Sequence, residues 1–131
     1  MDRVIFNEIT RLGGNPSDEI WIWLVARGPH GPKFTWSQTK KEPAGYVGVN
    51  HLERIVGELA ETIPSFEERA RAIVNLAFES QLTDIVRRAI QVAAVIGGTE
   101  ELQKIRQFDK SEFSAVASDA RASAFYLKRR I

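Results

Sequence analysis

The chain has 131 residues, 44% hydrophobic and 27% charged, with a formal net charge of +1 and no cysteine. That balance fits one domain with a real core, excludes wholesale disorder, and leaves no thiol for disulfides or thiolate metal sites. A charge so close to neutral also argues against a generic nucleic-acid binder, which carries a marked basic excess.

The opening MDRVIFNEIT mixes charges and lacks the apolar core of a signal peptide, and no apolar run approaches the length of a membrane span. A cytoplasmic chain with no membrane partner is the expectation. GGNPS, residues 13–17, reads as a turn between helices rather than as an anion cradle. After it two readings compete. Asn15 as a cap, Pro16 at the first helical position and Asp18 in the first turn favour a helix running to Arg27. Against this, Ile20, Trp21, Ile22, Trp23 and Val25 are a run of β-formers, and Phe34 and Trp36 alternate with polar neighbours, as in a hairpin turning at RGPHGP. Under the helical reading, residues 28–49 become an irregular or weakly β insertion. Connections of that length are uncommon in compact domains unless they are functional.

The second half has clearer punctuation. Asn50 stands as a cap before the stripe Leu52, Ile55, Val56 and Leu59, and Pro64 marks the end of that helix. Ser65 and Glu68 have capping-box spacing ahead of Phe66, Ala70, Ile73, Val74 and Ala77, while Glu67, Glu68, Arg71 and Asn75 take the other faces. Thr83 opens a further helix that Gly97-Gly98 stops, in the manner of a left-handed cap. Its last turns, Gln91 to Ile96, are apolar on nearly every side and predict the central helix or a contact with a second copy of the chain. Thr99 caps the next helix, and Asp109 with Glu112 repeats the capping-box spacing before the last. The fold class is therefore mainly α, a single-domain bundle of about five to seven helices with the insertion near residues 28–49.

All three tryptophans fall between Ile20 and Lys41. Trp21 and Trp23 belong to the apolar run and read as core, whereas Trp36 lies between Thr35 and Ser37 and reads as a contact residue. Around it stand Phe34, Tyr46, Arg27, Lys33, Lys40 and Lys41, with Glu42 the single acid. This aromatic and basic group is the candidate partner-binding site, since Trp, Tyr and Arg dominate interface hot spots. A protein is the first partner it suggests. Nucleic acid is the alternative, with cations on phosphates and Trp36 or Tyr46 stacked on bases. His30 reads as an exposed turn residue, and His51 has no partner at metal-ligand spacing, so neither a metal nor a cofactor is expected. Arg69, Arg71, Arg87 and Arg88 read as solvated cations pairing with Glu67, Glu68 or Asp84 one turn away. Lys128, Arg129 and Arg130 suit a helix C-terminus. With no nucleophile elbow, phosphate loop or paired acid and base, the expected function is that of a small non-enzymatic interaction protein: an adaptor, inhibitor or regulatory subunit.

Overall fold

The computed structural model describes residues 3–16, 18–22 and 46–131, apart from the side chains at 19, 22, 46–51 and 55. Those residues form helices α1 (Arg3–Arg11), α3 (Tyr46–Thr62), α4 (Phe66–Ala77), α5 (Thr83–Ile96), α6 (Thr99–Gln107) and α7 (Ser114–Arg130). A single helical turn, α2 (Glu19–Ile22), follows α1, and a 3-10 turn at Phe108–Lys110 joins α6 to α7. No strand occurs among the described residues. The mainly α bundle is as expected.

Helix α5 is the hub, packing against α3, α4, α6 and α7, most extensively against α7. Every residue from Gln91 to Ile96 is buried, and the chain's own helices do the covering. Each valine or isoleucine so placed contributes roughly 1.5–3 kcal/mol of hydrophobic stabilisation. Helix α4 supplies Phe66, Ala70, Ile73, Val74 and Ala77 to the same core, as its spacing predicts, and α3 adds Leu52 and Val56 with half-buried Leu59. Helix α1, which no sequence expectation covered, contributes Ile9 at 0% exposure.

Helix ends depart from expectation more than helix faces do. The last residues of the anticipated insertion, 46–49, form the first turn of α3, so Asn50 lies inside that helix instead of capping it. The apolar spacing 49, 52, 56 and 59 carries the helical stripe back past Asn50, whose helix propensity is poor but tolerable. Ser65 does precede α4, but at φ 54° and ψ 35° it is left-handed and makes no side-chain cap bond. A capping box needs extended backbone at the cap, so the Ser65–Glu68 reciprocity does not form. Thr83 and Thr99 are first helical residues, with Leu82 and Gly98 in the cap positions. Asp109 stays in the 3-10 turn and α7 starts after Phe113. There Ser111 Oγ accepts the Phe113 N–H at 3.1 Å, and before α5 Ser80 Oγ accepts the Leu82 N–H at 3.0 Å. Short serine-turn bonds thus brace the two cap residues, and neither helix has a side-chain cap.

Gly97 ends α5 with extended backbone, φ −76°, and not in the left-handed region. Its use is spatial: a Cβ there would stand 2.6 Å from the Ala93 carbonyl oxygen and 2.9 Å from Glu101 Cβ. At the other end of the chain Gly13 takes φ +86°, and a Cβ on Gly14 would meet the Trp21 ring at 2.7 Å. Residues 13–16 thereby form a turn, as read, although the cap of α2 is Asp18 and not Asn15. Asp18 Oδ1 accepts the Ile20 N–H at 3.1 Å, while the Asn15 carbonyl is taken up by the Asp18 N–H.

Candidate functional site

Arg27, Lys33, Phe34, Trp36, Lys40 and Lys41 lie outside the described residues, as do Trp23, His30 and the choice between hairpin and loop beyond Ile22. Tyr46 opens α3, and its side chain, like that of His51, is outside the description. What is described is the frame on either side. The chain enters this stretch from α2, where Ile20 and Trp21 are each 1% exposed, and leaves it into α3, whose Leu52 is equally buried. Helix α2 rests on α4, and α3 on α4 and α5. Trp21 is core, as its place in the apolar run predicts.

Three of the arginines take partners far away in sequence and not one turn away, while Arg88 has Asp84 one turn earlier, as its spacing predicts. Arg69 reaches Asp18 at 2.9 Å, Arg71 reaches Glu101 at 2.8 Å and Arg87 reaches Asp119 at 2.6 Å, each joining segments far apart in sequence. Arg11 meets Glu8 within α1, and the second Glu8 oxygen accepts the Ser80 hydroxyl, tying α1 to the turn between α4 and α5. Spacing rules find only partners on the same helix, so the pairs of Arg69, Arg71 and Arg87 were invisible to them.

Glu101 is the most fully enclosed of these carboxylates, at 1% exposure. It accepts the Gly98 N–H at 2.8 Å, Arg71 Nη2 at 2.8 Å and Asn75 Nδ2 at 3.1 Å, while Lys104 Nζ donates to Asn75 Oδ1 at 2.6 Å. Burial works to raise its pKa, but the Gly98 amide, Asn75 and Arg71 together hold it below the usual carboxylate value. Glu8 is likewise held low, chiefly by Arg11 against the opposing effect of burial, with help from Ser80. A general acid or base working near neutrality needs a carboxyl pKa tuned upward. These two are tuned the other way, which suits fastening and not proton transfer. The fourth carboxylate, Asp119, is 4% exposed and also accepts Gln91 Nε2 at 3.0 Å.

Two open clefts of about 470 Å³ flank the bundle. One, between α4 and α6, is lined by Glu67, Glu68, Asn75 and Glu100 around the Arg71–Glu101 pair. The other, between α1 and the start of α5, is walled by Val4, Ile5, Leu82 and Ile85 with Arg88. Among the described residues no helix is long and apolar enough to cross a membrane. Comparison with protein-family models, with curated proteins and with solved structures gives no match.

Proposed function

We propose that this chain is a small non-enzymatic interaction protein, an adaptor, inhibitor or regulatory subunit, that binds a partner protein through the stretch from Arg27 to Val49. Trp36 is the anchor, and Phe34, Tyr46, Arg27, Lys33, Lys40 and Lys41 surround it. The observation that carries the reading is the concentration there of aromatic residues and cations, with Glu42 the lone acid. Support comes from the frame, in which Ile20 and Trp21 before the stretch and Leu52 after it are buried in the bundle. Further support comes from the acids: Glu8, Asp18, Glu101 and Asp119 are engaged in holding helices together.

The test is affinity capture from native lysate with and without nuclease, using the wild-type chain and a Trp36→Ala/Lys40→Ala/Lys41→Ala variant. A protein captured by the wild type, lost by the folded variant and indifferent to nuclease is the expected result. Capture abolished by nuclease, with affinity for single strands that falls steeply as salt rises, transfers the site to nucleic acid. Equal capture by both chains removes the site altogether.

A further inference from the structure

Arg88 stands apart from the arginines around it. Arg69, Arg71 and Arg87 each find a carboxylate on another segment, whereas Arg88, next to Arg87 on α5, forms no ion pair among the described residues, and its Nε is sealed from solvent without a hydrogen-bond partner among them. Folded proteins leave few buried donors in that condition, and each one calls for an explanation. Burial depresses the guanidinium's pKa, and Asp84, one turn earlier, offsets this only in part. The same side chain lines the cleft of about 470 Å³ between α1 and α5, a volume typical of small-molecule sites. The cleft's apolar lining is Val4 and Ile5 from α1 with Leu82 and Ile85 from the start of α5, and Val4 is 58% exposed. A cation at an apolar wall matches an anion carried on an apolar body. Carboxylate fits better than phosphate, because its two oxygens match the guanidinium fork and its single charge is repelled less by Asp84 at the cleft edge.

We infer that the α1–α5 cleft binds a small monocarboxylate with an apolar tail, the carboxylate on Arg88 and the tail against Val4, Ile5, Leu82 and Ile85. None of these residues belongs to the partner-binding stretch, so the two sites stand or fall separately. The probes are octanoate, octanol with a comparable tail and no charge, and acetate with the charge and almost no tail, each titrated into the full chain by calorimetry and amide NMR. Octanoate should saturate and bind at least about tenfold more tightly than either of the others, a ratio that corresponds to one ordinary charge-assisted contact. Arg88→Met keeps the length of the stem and should remove that advantage while leaving octanol unchanged. Asp84→Asn removes the nearby like charge and should tighten octanoate. If Arg88→Met does not fold, the three wild-type titrations and Asp84→Asn decide the matter. Octanoate that binds no better than octanol, fails to saturate by about 10 mM, or binds Arg88→Met as well as the wild type overturns the assignment.

Discussion

Arg71 and Glu101 are unequal members of one ion pair, with side chains 44% and 2% exposed. Removing the arginine leaves a buried carboxylate with only neutral donors, whereas neutralising the glutamate leaves an arginine that can turn to water. Arg71→Ala should therefore cost about 2 kcal/mol or more, and Glu101→Gln about 1 kcal/mol, in denaturant unfolding. Equal losses would show that the carboxylate's burial is not what makes the pair matter. Acid dependence follows from the same groups. Glu8 and Glu101 have folded pKa values below their unfolded ones, so the unfolded chain takes up protons first as pH falls. Their contribution is complete above an unfolded value of about 4.3 and is lost as pH drops through the folded values. Glu101→Gln should flatten the acid limb of the stability curve, and an unchanged limb would contradict this. The individual acids and arginines were legible in the sequence, but their partners were not, since Arg71 and Glu101 stand 30 residues apart.

At the scale of elements, faces were readable and ends were not. The apolar spacing of α4 and α5 placed the buried residues correctly because one buried stripe per helix is a strong constraint. Caps failed where the helix begins away from the residue expected to cap it: Thr83 is already helical, and α7 starts beyond Asp109, after Phe113. Helix α1 was missed, although Ile5, Ile9 and Leu12, followed by Gly13-Gly14, have the spacing and stop of a short helix. Two glycines give opposite predictions. Gly57 is exposed within α3, and a Cβ there meets no described atom within 4 Å, so Gly57→Ala should raise stability by about 1 kcal/mol. Gly97→Ala would press against the Ala93 carbonyl and Glu101 Cβ and should lower stability by about 1–3 kcal/mol. Thermal melting of the two variants side by side checks both signs.

For the whole molecule, the central place of α5 is the strongest structural expectation, because residues 91–96 are buried by the chain itself. Val95 is 2% exposed, and Val95→Asp should put an unpaired charge into that core and unfold the bundle. A variant that melted like the wild type would show that α5 is not the hub. The partner-binding role we propose for the stretch from Arg27 to Val49 rests on its composition. That central claim is tested most directly on one purified variant, Trp36→Ala, by measuring thermal melting and affinity for the captured partner. The account predicts a nearly unchanged melting temperature and a loss of binding of about 2 kcal/mol or more, as for other hot-spot truncations. A loss of stability of about 3–5 kcal/mol with unchanged affinity of the folded fraction would make Trp36 a core staple and contradict it.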